Sequence, residues 1–153
     1  MGGASQLRIG LHNEAFDPLE QLQLWHRELA LAGATSAAES VFIGRVRNLA
    51  ADGSPLSALE LEHYPGMTER QLQELAADCV MRHGARSALV RHRVGRVLPG
   101  AAIVLVAIGA DRRGPAQRCC GELLETLKHE APFWKREWHS DGRSSWVAGN
   151  TAL

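Results

Sequence analysis

The chain has no C-x-x-C pair, no H-x-x-x-H or H-E-x-x-H spacing among its seven histidines, and only three cysteines, two of them adjacent. These absences argue against a zinc site of standard spacing and against a disulfide framework, so no metal is expected and a reducing compartment fits. Gly44, Gly95, Gly100 and Gly109 do not fall into a G-x-x-x-x-G-K-[ST] or G-x-G-x-x-G loop. A nucleotide phosphate cradle is therefore unsupported, and no cofactor is expected. Net charge is missing too: Lys plus Arg and Asp plus Glu each count 17. No broad field is available to hold nucleic acid, and any cationic site must be local. The longest apolar run, Ala101 to Ala110, is far short of the roughly 20 residues of a membrane helix and reads as a buried strand. The start lacks a basic region followed by an apolar stretch, and Gln6 stands where a myristoylation signal needs Ser or Thr, which points to the cytoplasm.

What is present is a chain of 153 residues, 45% hydrophobic and 22% charged, the composition of one globular domain spanning 1–153. Asp17-Pro18 with Glu20 supplies an N-cap, a first-turn proline and an acidic first turn, and Leu19, Leu22, Trp25 and Leu29 carry a helix to about Gly33. Ser40 to Arg47 reads as a strand, feeding a polar loop over 48–55 that is expected to be mobile. Leu56 to Tyr64 alternates as a strand with one dry face until Pro65-Gly66 ends it. Thr68 and Gln71 read as a capping pair opening a helix whose face holds Leu72, Leu75, Ala76, Cys79 and Val80, with a stop at Gly84.

Ser87 to Val94 and Ala101 to Gly109 are two further strands, and the Pro99-Gly100 turn between them predicts a hairpin. Pro115 opens a last helix whose apolar face runs from Ala116 through Cys119, Cys120, Leu123 and Leu124 to Leu127, ending by Pro132. Small apolar packing is the ordinary role of such cysteines. Ser144 to Val147 adds a short strand.

Chemistry concentrates in the run Ala131-Pro-Phe-Trp-Lys-Arg-Glu137, with Lys128 on the helix turn before it. Together with Arg45, Arg47, Arg112 and Arg113 at strand ends, Lys128 and Lys135 form a candidate anion pocket. The plainer reading is a set of solvated charges. Lys128 also gains about 0.3–1 kcal/mol from the dipole at a helix C-terminus with no substrate at all. Phe133, Trp134, Trp138 and Trp146 either stack on a heterocycle or cap the core, and capping is the commoner use. Glu60 and Glu62 fit a solvated strand face.

Four stretches, taken in order, resemble the large, catalytic subunit of molybdopterin synthase: Phe42-Ile-Gly-Arg-Val-Arg-Asn48, Leu61-Glu-His-Tyr-Pro-Gly-Met-Thr-Glu69, His92-Arg-Val-Gly95 and Ala131-Pro-Phe-Trp-Lys-Arg-Glu137. The resemblance implies an α+β, hammerhead-like fold with antiparallel sheets, about three helices and a small added β subdomain. It also implies a homodimer within a heterotetramer, flanked by a small ubiquitin-like sulfur-carrier subunit ending in Gly-Gly. In that family the carrier's C-terminal thiocarboxylate gives sulfur to cyclic pyranopterin monophosphate, and two rounds make the dithiolene of molybdopterin.

Carried over residue by residue, the resemblance makes Lys128 and Lys135 catalytic, Lys128 moving a proton beside the carrier tail and Lys135 binding substrate. Arg47, Arg112 and Arg113 are then phosphate ligands, and Phe42 lines the pocket. One position departs: in Asp111-Arg-Arg113, Arg112 stands where the family usually has a histidine, and arginine does not titrate near neutral pH. The charged tail common in relatives is also missing after Trp146. Two other readings fit these features. A noncatalytic scaffold would bind the carrier without turnover, and a pterin- or phosphate-binding protein would bind the small molecule without the carrier. A nucleic-acid binder would show a steep salt dependence that balanced charge disfavours.

Overall fold

A computed structural model describes residues 6–147; positions 1–5 and 148–153, on which the leader and tail readings rest, lie outside them. The elements are β1 (Gln6–His12), α1 (Pro18–Leu31), β2 (Ala38–Arg45), β3 (Leu56–His63), α2 (Met67–His83) and β4 (Ser87–Arg93), followed by β5 (Gly95–Val97), β6 (Ala102–Ala110), α3 (Arg113–Glu130), β7 (Phe133–His139) and β8 (Ser144–Trp146). They form an α+β fold with two four-stranded sheets, ordered β1-β4-β6-β2 and β5-β3-β7-β8.

The first sheet is the framework. Its central strand β6 is buried at every residue except Ile103, as expected of a strand covered on both faces. The two-residue period sorts its side chains. Val104, Val106 and Ile108 face α2 and α3, packing with Leu72, Val80, Cys119 and Leu123. Leu105 and Ala107 face the other way, onto Trp25 and Leu29 of α1. The second sheet joins the first through Val46, Leu61 and Val97, which pack against Ile103 and Phe133.

The expected N-cap of α1 is present, with Asp17 Oδ1 accepting from the Leu19 N–H at 2.9 Å. For α2 the cap sits elsewhere: the chain enters at Gly66, whose φ of 83° suits glycine, and Glu69 accepts from the Gly66 N–H at 2.5 Å. Thr68 is already helical and buried, its hydroxyl taking the Tyr64 N–H at 3.1 Å. β4 and β6 pair antiparallel as expected, but the stretch between them is not only a turn, because Gly95–Val97 joins β3 in the second sheet. β1 lies parallel to β4, so the first sheet is not wholly antiparallel. The 48–55 loop is tied down by a Leu49–Pro55 bridge and by Ser54 Oγ against His139 Nδ1 at 2.9 Å. The run after Pro132, read above only for its chemistry, is strand β7, paired along β3 from Phe133 opposite His63 to His139 opposite Leu56.

Candidate functional site

The candidate site begins where α3 stops. Ala131 takes an extended conformation, which the following proline favours, and the chain turns directly into β7. Lys128 is therefore held on the last turn of the helix and Lys135 on the adjoining strand, both half-buried. Strand alternation separates Lys135 from Arg136, which cannot share one pocket as neighbours in sequence. Lys135 stands opposite Leu61, a buried residue of β3, and lays its stem along that apolar surface.

Arg136 points to the other face, where its guanidinium lies 4.8 Å from the Trp138 ring and 5.2 Å from the Trp146 ring. Trp138 donates its indole N–H to Glu60 at 3.2 Å, so that face is a cation–aromatic ladder rather than a bare solvated surface. Trp134 meets the edge of Tyr64 at 5.0 Å and remains exposed. Phe133 turns inward and stacks on His92 at 4.3 Å.

Electrostatics distinguish this corner. Burial lowers the pKa of Lys135, and the nearby Lys128 ammonium lowers it further. His92 is pushed down to about 4, first by burial and then by the charge of Lys135, so it is neutral at pH 7. Its Nδ1 donates to the Arg93 carbonyl at 2.8 Å, since a carbonyl can only accept, and Nε2 is left as the acceptor nitrogen. Arg93 in turn donates to the carbonyls of His12, Asn13 and Arg96 at 3.1–3.3 Å, tying the ends of β1 and β5 to this corner. The His92-Arg-Val-Gly95 motif is thus a structural brace under the lysine pair. His92 was not among the expected site residues; its place in a strand motif beside an arginine was the available signal.

β2 brings a further cation to the same end. A register shift between Gly44 and Arg45 leads the chain off the sheet, with the Val46 N–H on Ala101 O at 3.0 Å and the Gly100 N–H on Val46 O at 2.9 Å. A side chain at Gly44 would meet Val104 Cγ1 at 2.9 Å and Phe42 Cε1 at 3.1 Å, which is why glycine holds this position. Val46 is buried against Ile103 and Phe133, and Arg47 emerges exposed at the Lys128–Lys135 end. Phe42 lies partly exposed over Gly44.

Arg112 and Arg113 are elsewhere. They sit exposed at the start of α3, about 22 Å along the helix axis from Lys128 by the usual rise per residue. Within one chain the expected cationic set is therefore two groups: Arg47, Lys128 and Lys135 at one end of α3, Arg112 and Arg113 at the other.

A sequence profile of the MoaE protein family matches residues 11–130, which is most of the chain and includes the Arg47 turn, the His92 brace and Lys128. The chain belongs to the MoaE family. A Pseudomonas aeruginosa relative named molybdopterin synthase catalytic subunit is 36% identical over 143 residues, covering 94% of this chain and 91% of that protein. A Ralstonia nicotianae relative of the same name is 47% identical over 106 residues, covering 69% of this chain and 59% of the relative. The solved structure of a molybdopterin biosynthesis MoaE protein from Burkholderia ambifaria superposes with a TM-score of 0.74 at 37% identity, over 97% of this chain and 92% of that one. MoaE proteins under the curated name are enzymes, and the fold here is theirs. Among the described residues no helix is long and apolar enough to cross a membrane.

Proposed function

We propose that this MoaE protein is the catalytic, sulfur-transferring half of a molybdopterin synthase, working in the cytoplasm as one domain. Its substrate is cyclic pyranopterin monophosphate, and its sulfur comes from the C-terminal thiocarboxylate of a small ubiquitin-like carrier ending in Gly-Gly. Each round forms a carbon–sulfur bond to the pterin, after which water cleaves the acyl–sulfur bond and the carrier leaves as a carboxylate.

The observation that carries this reading is the Lys128–Lys135 pair. Burial lowers the Lys135 pKa and the neighbouring Lys128 ammonium lowers it further, so the pair forms a site that an anion relieves. A phosphate or thiocarboxylate seated there removes the repulsion, and charge developing on oxygen during acyl cleavage is met by groups already in place. Lys128 moves a proton beside the carrier tail, Lys135 holds the substrate anion, and Arg47 offers a guanidinium for the phosphate. Phe42 lines the approach.

The distance between the ends of α3 shapes the rest of the proposal. Arg112 and Arg113 reach a Lys128 pocket only if a second copy supplies them, which fits a homodimer at the centre of the assembly. Arg112, in place of the usual histidine, then serves as an anion ligand and not as a proton carrier. Conversion of cyclic pyranopterin monophosphate with thiocarboxylated carrier tests the reading. Wild type makes product, and Lys128→Ala lowers the rate by roughly 10²-fold or more, the usual worth of a placed acid or base. Carrier binding without product would instead establish the noncatalytic scaffold.

A further inference from the structure

Between α2 and α3 lies a cluster that sulfur transfer does not use. Cys79 and His83 are one helical turn apart on α2, and Cys119 and Glu122 are one turn apart on α3, so each pair shares a face. Cys79 Sγ lies 3.7 Å from Cys119 Sγ and 3.7 Å from Glu122 Oε2. His83 Nε2 contacts the same carboxylate oxygen, and the ligand atoms of Cys79, His83 and Glu122 all fall within 4.8 Å of one another.

We propose that Cys79, His83 and Glu122 form a zinc-binding site that clamps α2 to α3, with a water molecule completing four-coordination. The spacing is the first reason. With Zn–S and Zn–O bonds of about 2.3 and 2.1 Å, tetrahedral coordination places a sulfur and a carboxylate oxygen about 3.6 Å apart, so Cys79 Sγ and Glu122 Oε2, at 3.7 Å, already stand at that separation. The donor set is the second. A thiolate, an imidazole and a carboxylate suit a borderline-soft ion and not magnesium or calcium, which prefer oxygen.

Charge is the third reason. One thiolate and one carboxylate neutralise a dication, and Arg82 holds the carboxylate in place, its Nη1 donating to Glu122 Oε1 at 2.9 Å. That bond fixes the carboxylate with its other oxygen turned toward Cys79 and His83, as a metal ligand is usually oriented from behind. Asp78 steadies Arg82 in turn, accepting from Nε at 2.8 Å. The sulfurs are buried, whereas the His83 and Glu122 side chains are 21% and 38% exposed, leaving a path for the ion. Binding releases the Cys79 thiol proton to solvent and changes no oxidation state. A search of the sequence for paired histidines overlooks this site, because its signal is Cys-x-x-x-His on one helix and a glutamate on another.

The test uses the whole reduced protein, loaded with Zn²⁺, desalted and assayed for metal, with Co²⁺ substitution as an optical probe. The expected result is about one zinc ion per chain, a melting temperature that rises with zinc, and a cobalt spectrum with thiolate charge-transfer and tetrahedral bands. Cys79→Ser loses these bands. Glu122→Gln, at a partly exposed position where folding is not in question, binds at least roughly tenfold more weakly. No zinc retained by the reduced wild type overturns the proposal, as does equal retention by both variants. A Cys79–Cys119 disulfide in protein that takes up no zinc after reduction overturns it too.

Discussion

The two sheets of this protein divide its labour. In β6, at the heart of the first sheet, successive side chains enter one apolar cluster or another, and only Ile103 is not fully buried. In β7, the centre of the second sheet's charged region, only His139 is fully buried, and lysine alternates with arginine across the two faces. A strand covered on both sides accommodates no free charge, whereas a half-covered strand holds an ammonium close enough to the apolar interior to feel it. The lowered pKa of Lys135 is the product of that intermediate burial. The first sheet is the framework, and the second carries Lys135, to which we assign part of the chemistry.

Substitutions sharpen the contrast. Leu105 is fully buried in β6, and Leu105→Ala is expected to cost about 2–5 kcal/mol in denaturant unfolding. His92, at the seam between the sheets, gives a pH signature. Its folded pKa of about 4 lies below the ordinary 6.5, so the unfolded chain takes up a proton first as pH falls. The stability from keeping it neutral is complete above pH 6.5 and is lost as pH falls through about 4. The loss is on the order of 3 kcal/mol, and His92→Asn, compared by urea unfolding across this range, lacks it.

Lys135→Met is the counterpart in the second sheet. It keeps the stem over Leu61 and removes a charge that burial disfavours, so the protein melts higher while sulfur transfer falls roughly 10²-fold. The smallest effect is electrostatic. Lys128→Ala removes a like charge from beside Lys135, and the Lys135 pKa, followed by NMR titration, rises while staying below that of a free lysine because burial persists.

The sequence was most legible where one element decides its own geometry. α2, β3 and β8 follow from periodicity and turn residues, and Lys128 follows from the end of the α3 pattern. β1 was missed although Leu7, Ile9 and Leu11 alternate, because its pairing partner lies far along the chain at 87–93. β5 is too short for any period. The run from Phe133 was read for its charges, and only its register against β3 shows that Lys135 and Arg136 face opposite ways. The separation of Arg112 and Arg113 from Lys128 was implicit in the length of α3. Motif resemblance gathered them into one pocket without that length. The contact of Cys79 and His83 with Cys119 and Glu122 depends on how two helices pack, which no local pattern encodes.

The central claim is that the working pocket draws on opposite ends of α3 from two copies of the chain. Mixing Lys128→Ala chains with Arg113→Ala chains, each defective alone, tests it by the rate of molybdopterin formation. Random pairing in a twofold dimer restores one intact pocket in half of the assemblies, so the mixture is predicted to recover roughly a quarter of wild-type activity. No recovery, with exchange of subunits verified by mass, would contradict a pocket shared between copies.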